Sequence, residues 1–218
     1  MGNFLDYWSD SSRQEQLVEL TINHIVFVTV AMIVAIVIAV SLGVIAHRVP
    51  ATRNLIVSTA AVFLTVPSLA LFALLIPVVG IGEPPVYVAL VMYALLAIVR
   101  NTVSGLNSVP APVSESAKGM GMGYWQRLFR IEMPLAWPVI MAGIRVSTQL
   151  TVGIACIAAL IGNDNLGSLI FGGIRRLGSA GATESILGGT VAVVILAFAF
   201  DLLLSLIGRL TTSRGLRA

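Results

Sequence analysis

Charge is scarce in this chain. Only 11% of its 218 residues are Asp, Glu, Lys or Arg, while 57% are hydrophobic. Soluble domains carry about 25% charged residues, and a soluble fold of this size has no interior able to hold so much apolar surface. Lipid is the expected solvent for much of it. Cysteine is nearly absent too. Cys156 is the only one, which excludes an intrachain disulfide and a cysteine-cluster metal site; it lies in an apolar run, as an inert buried thiol does. The two histidines, His24 and His47, stand at opposite ends of one apolar segment, and no His-Glu-x-x-His spacing occurs, so metal catalysis has no ligand set. The sole lysine, Lys118, follows Ala117, so the Gly-Lys-Ser/Thr of a phosphate-binding loop is missing. Aromatics make up 7%, and no basic face interleaves with them; the formal charge of +3 therefore does not point to nucleic acid. Asp201 is the only well-embedded acid, which leaves an intramembrane protease without a His or a carboxylate partner at shared depth.

Long apolar segments are what the chain has instead. Five are expected to span a bilayer, at about 20–46, 55–81, 86–106, 134–161 and 185–207. The first, Leu20 to Ala46, has no charged residue and would be about 40 Å long as a helix, enough to cross a ~30 Å hydrocarbon core with tilt. The residues before it are acidic and aromatic rather than cationic, unlike a cleaved signal peptide, and Asp6 stands where a myristoylation signal wants Ser or Thr. Residues 1–19 read either as an interfacial segment, with Phe4, Leu5, Tyr7 and Trp8 at headgroup depth, or as a loosely ordered terminus. A polar loop, His47 to Asn54, is expected next. Pro67 and Pro77 interrupt the second segment. Thr65 and Ser68 flank Pro67, so Thr-Val-Pro-Ser is either a polar bend in a pathway or a packing kink. Residues 163–184 are Gly-rich and have room for a short helix that dips toward the membrane. Residues 211–218 form a basic tail.

Cation placement gives orientation. With five spans and the N-terminus outside, Arg48, Arg53, Arg100, Lys118, Arg127, Arg130, Arg209, Arg214 and Arg217 fall inside, and Arg13, Arg175 and Arg176 outside. That asymmetry obeys the positive-inside rule. Two embedded charges, Arg145 and Asp201, then lie at similar depth on antiparallel spans. They are expected to pair; separate snorkelling is the alternative.

The longest polar interruption, residues 110–133, falls inside. Ala111 to Gly121 suits a short helix with proline at its start and glycine at its end. Tyr124 to Ile131 suits a second, with Tyr124, Leu128 and Ile131 on one face. Such a face either docks into a partner's groove or lies on its own bundle. Within this stretch, Glu115-Ser116-Ala117, then Gly121, then Ile131-Glu132-Met133-Pro134 resembles the EAA motif of type-I ABC importer permeases, with Ser116 and Met133 as small departures and the spacing intact. Thr-Val-Pro-Ser with the apolar run after it, and Tyr-Ala-Leu-Leu-Ala-Ile-Val-Arg-Asn-Thr, resemble the glycine betaine/carnitine/choline group of that family; the likeness covers about residues 17–210.

The resemblance implies an all-α polytopic bundle of about five transmembrane helices with a cytoplasmic coupling helix. It implies coupling to an ATPase through Glu115, Ser116, Ala117, Gly119, Gly121, Ile131 and Pro134. Thr65, Pro67, Ser68, Asn101 and Gln149 are pathway candidates. The partners implied are an ATP-binding subunit, an extracytoplasmic solute-binding protein and a second permease copy or paralogue. No cofactor is expected on this chain; ATP and Mg belong to the ATPase. The place is a bacterial or archaeal cytoplasmic membrane. Import of another solute such as an amino acid, an ATP-independent channel and a membrane enzyme are the competing readings.

Overall fold

The computed structural model describes residues 4–212, with side chains from Asp6 onward. Arg214, Arg217 and the side chains of Phe4 and Leu5 lie outside that description. Among the described residues there are helices and no strands.

A five-residue helix, α1 (Phe4–Trp8), precedes α2 (Ser11–Arg48). Helix α2 starts well before the apolar segment does, because Asp10 caps it: the carboxylate accepts from Ser12 N at 3.0 Å and Ser12 Oγ at 2.8 Å. These bonds hold the Asp10 carboxyl below its usual range. The expected His47–Asn54 loop does not exist. Helix α2 runs through Arg48, and α3 (Pro50–Thr65) begins after Val49 alone. Pro50 supplies the start, since proline suits the first helical position and holds the residue before it out of helical geometry.

The second apolar segment is broken rather than kinked. Helices α3 and α4 (Ser68–Val79) meet at 106°. Val66 and Pro67 are both extended there, and the Tyr93 hydroxyl donates to the Val66 carbonyl at 2.6 Å. Pro77 sits inside α4 without breaking it.

Helix α5 (Pro84–Asn107) is the central span, 61% buried along its apolar window. It runs parallel to α2. At one end His47 Nδ1 lies 2.9 Å from Asn107 Oδ1; at the other, Asn23 and Phe27 share a cleft with Glu83 and Tyr87. Two consecutive parallel spans require the chain between them to cross back, so the bent α3–α4 pair traverses the full thickness and the fold has five crossings.

The chain then turns through α6 (Ala111–Gly119) and α7 (Tyr124–Arg127), a π-turn (Leu128–Glu132), α8 (Met133–Ala155) and a 3-10 turn (Cys156–Ile161). The second short loop helix is thus no separate element; it is the start of an unbroken rod from Tyr124 to Ile161. The rod runs antiparallel to α5, and small residues bring the two together. Gly143 sits against Asn101, where a β-carbon would stand 2.6 Å from Asn101 Cβ. Gly105 sits against the Ala136 carbonyl. Ser147 Oγ donates to the Ala94 carbonyl at 2.8 Å. Near the far end His24 Nε2 lies 3.1 Å from the Val152 carbonyl, with the ring fully buried.

Helix α9 (Leu166–Arg175) is the short helix expected within 163–184. At about 15 Å it is too short to cross. An Asn165–Ser168 capping box starts it, and it packs on α10 (Ala182–Thr211), with Ser185 Oγ donating to the Leu169 carbonyl at 2.9 Å. The N-terminal segment docks here. The Tyr7 ring lies against Gly181 and the Trp8 ring against Gly188, closer than an added β-carbon would allow without a shift, and the Arg13 guanidinium lies 3.6 Å from the Tyr7 ring centroid. Helix α10 returns along α8 to the α6 end, where Trp137 Nε1 donates to Thr211 Oγ1 at 2.6 Å.

Candidate functional site

Helix α6 begins after Pro110, with Pro112 in its first turn, and is stopped two residues past Gly119 by Gly121, which has φ +81°. Gly121 N donates to the Lys118 carbonyl (3.0 Å) and Met122 N to the Ala117 carbonyl (3.2 Å). This is a Schellman motif, in which the left-handed residue is normally glycine. The helix shows one small residue inward: Ala117 is 1% exposed, while Glu115, Ser116, Lys118 and Gly119 face out.

A buried carboxylate ties α6 to the rod. Glu132 is 6% exposed, and its Oε1 accepts from Ser114 Oγ at 2.9 Å and from Arg127 Nε at 2.8 Å. The residues joined belong to α6, α7 and the π-turn. In the sequence Glu132 stands only as the unspecified position of the Ile131–Pro134 match; an acid at the mouth of an apolar span, five residues past an arginine, is the signal that marks it. A second tie comes from α2: the Arg48 guanidinium lies 4.2 Å from the Tyr124 ring centroid and 5.6 Å from that of Trp125. Arg53 and Arg100 line one cleft at this same end.

Of the two readings of the face formed by Tyr124, Leu128 and Ile131, the structure has the one in which it lies on its own bundle. Leu128 is 1% exposed and Tyr124 packs on the main core. The outward face is instead Trp125 and Phe129, stacked at 6.0 Å between ring centroids, with Met120 beside them in exposure. Of the residues expected to couple, Ile131 is half-buried and Pro134 exposed. The π-turn closes one residue before Pro134 with a shifted bond, Met133 N reaching back to Leu128 O.

The pathway candidates do not gather in one place. Thr65, Pro67 and Ser68 sit at the α3–α4 break, where Thr65 Oγ1 donates to its own helix at Val62. Asn101 is tucked into the α5–α8 crossing, its amide donating to the Ala97 carbonyl at 2.8 Å. Gln149 lies elsewhere, on α8 facing α10, with Nε2 3.2 Å from Asp201 Oδ1. The same carboxylate holds Arg145 in a bidentate pair, Nε to Oδ1 and Nη2 to Oδ2, both 2.8 Å.

The arrangement is a polytopic bundle with a helical knob held out at one end by buried polar ties. The family model described as binding-protein-dependent transport system inner membrane component matches residues 31–213. The chain belongs to this family. Among curated relatives, this inner-membrane component is similar to the glycine betaine/carnitine/choline transport system permease protein OpuCB of Bacillus subtilis, 39% identical over 202 residues that cover 93% of this chain and 91% of that protein. It is similar to the osmoprotectant import permease protein OsmW of Salmonella typhimurium, 38% identical over 206 residues, 92% and 94% of the two chains. The carnitine transport permease protein OpuCD of Listeria monocytogenes is 34% identical over 209 residues, 96% and 92%. A chain of the MetNI methionine ABC transporter, solved in an inward-facing conformation, superposes with a TM-score of 0.80 at 22% identity, covering 94% of this chain and all of that one. That likeness shows that the two chains share a fold. The chain is therefore a multi-pass transport component of the inner membrane.

Proposed function

We propose that this chain is the membrane-spanning subunit of an ATP-driven importer for compatible solutes that carry a quaternary ammonium group: glycine betaine, carnitine, choline or a close analogue. The observation that carries the mechanism is the exposed α6 knob, braced by buried Glu132. A helix meant only to connect two spans needs no buried carboxylate beneath it. The solute class rests on the printed roles of relatives that align along nearly the whole chain.

In this reading a separate ATPase receives α6 through Glu115, Ser116, Gly119 and the Trp125–Phe129 stack, while Ala117, Gly121, Ile131 and Pro134 set the geometry. ATP and Mg are handled by that subunit; this chain performs no catalysis and holds no cofactor. The α6 end faces the cytoplasm and the N-terminus lies outside, in a bacterial or archaeal cytoplasmic membrane. An extracytoplasmic binding protein delivers solute, and a second permease copy or paralogue completes the path.

The test is co-expression with the neighbouring ATPase and binding protein in cells lacking their own osmoprotectant uptake. The ATPase is expected to co-purify, and radiolabelled betaine, carnitine or choline to accumulate. Phe129→Asp is expected to abolish co-purification. Uptake of none of the three solutes by an assembled complex would refute the solute class; co-purification unaffected by Phe129→Asp together with Glu115→Arg would refute the docking surface.

A further inference from the structure

The least covered span carries the only ion pair within the membrane among the described residues. Only 6% of the apolar window of α10 is buried, against 61% for α5. Arg145 and Asp201 lie on the uncovered side, their side chains 39% and 25% exposed, and Gln149 beside them is exposed. Their depth follows from the Trp137–Thr211 contact at the α6 end: at about 1.5 Å per residue the pair stands about 12–15 Å from that level, near the middle of a ~30 Å hydrocarbon core.

Hydrocarbon cannot cover such a group. Asp201 accepts three hydrogen bonds, two from Arg145 and one from Gln149. Arg145 Nη1 and Gln149 Oε1 keep capacity for further partners, and a partly exposed guanidinium at mid-depth is expensive unless water or protein meets it. The lipid-facing surface reads differently. Within the apolar stretch 20–46, the outer face of α2 shows Ile22, Ile25, Ile33 and Val37, with nothing charged. Phe198, 72% exposed, lines a hollow of about 230 Å³ with Gln149, Val194 and Ala197, so an aromatic ring stands next to the charged step.

We propose that Gln149, Arg145 and Asp201 form a polar step on the wall of a water-filled translocation path, closed on its far side by a second permease subunit, and that the step meets the charged groups of the passing solute. A zwitterion with a carboxylate and a quaternary ammonium finds there a guanidinium and amide for one charge, and a carboxylate and aromatic ring for the other. This rests on the permease reading. It places the path against the α8–α10 face rather than at the Thr65–Ser68 break.

The test is thiol accessibility in the assembled transporter in membrane vesicles, with Cys156→Ser removing the only native thiol. Gln149→Cys is labelled with a charged, membrane-impermeant methanethiosulfonate, alone and after vanadate trapping of the ATPase. Ala142→Cys, exposed on the same face, is the second reporter, and Ile33→Cys on α2 is the lipid-facing reference. The expected result is labelling of both reporters an order of magnitude faster than the reference in at least one state, slowed by saturating solute. Reporters no more reactive than Ile33→Cys in both states, in complexes that still hydrolyse ATP, would overturn the placement. Fast labelling that solute does not slow would overturn the contact with solute. Neither readout depends on which solute class is transported in the cell, provided the solute used for protection is the one shown to accumulate.

Discussion

The Tyr93 hydroxyl lies 2.6 Å from the Val66 carbonyl, at the point where α3 and α4 part at 106°. The chain is extended at Val66 and Pro67, outside both helices, and a side chain of the central span supplies a donor to the Val66 carbonyl. Tyr93→Phe keeps the ring and removes the bond. The freed carbonyl is expected to lower stability by about 1–3 kcal/mol, read as a lower unfolding temperature of the purified subunit in detergent. An unchanged midpoint would show that water satisfies Val66 instead.

Gly121 isolates a backbone effect. A β-carbon there meets nothing within 4 Å, yet the residue has φ +81°. Gly121→Ala is expected to weaken the end of α6 by about 1–2 kcal/mol and Gly121→Asn by less. ATPase co-purification should fall in the order Gly, Asn, Ala, Val. Equal retention by Asn and Val would contradict the conformational explanation.

Glu132 is expected to hold α6 in place. Glu132→Ala strands Arg127 and Ser114 and should destabilise by about 2 kcal/mol, less than a fully buried pair because Arg127 is partly solvated. Lys118 is the sole lysine, so a lysine-specific protease has one cleavage point in the chain, on α6 itself. Cleavage should speed several-fold in Glu132→Ala and less in Glu132→Gln, which can still accept from both partners. Equal cleavage rates in all three proteins would remove the bracing role.

Two glycines of α8 form an internal control. A β-carbon at Gly143 would stand 2.6 Å from Asn101 Cβ and 2.9 Å from the Ala97 carbonyl, while one at Gly153 meets nothing. Gly143→Ala is expected to lower the unfolding temperature of the isolated subunit, since overpacking a tight contact costs about 1–3 kcal/mol. Gly153→Ala should be neutral or stabilising by up to about 1 kcal/mol.

Much of this architecture was legible because membrane spans announce themselves by composition. Segment count, the short helix in 163–184 and the depth of Arg145 and Asp201 all follow from apolar length and one residue spacing. Boundaries failed where polar residues stay helical. Ser11 to Glu19 read as part of an interfacial segment or a loosely ordered terminus, yet Asp10 starts a long helix there; His47 to Asn54 read as a loop, yet Pro50 starts a helix. The inward turn of Tyr124, Leu128 and Ile131 was invisible because periodicity locates an apolar face without saying what covers it. The position of Asn101 in the α5–α8 crossing was hidden for a similar reason: its small partner, Gly143, lies far away in sequence. The buried role of Glu132 and the reach of Tyr93 to Val66 depend on tertiary contacts that no local pattern encodes.

The rod from Tyr124 to Ile161 has a mechanical consequence. It is unbroken, and its tightest contacts with α5, at Gly105 and Gly143, lie part-way along its length. On the permease reading such a rod would act as a lever about those contacts. A push on α6 at one tip would swing Val152 and the 3-10 turn the opposite way at the other, so that a single motion would narrow one mouth of the bundle while it widened the other.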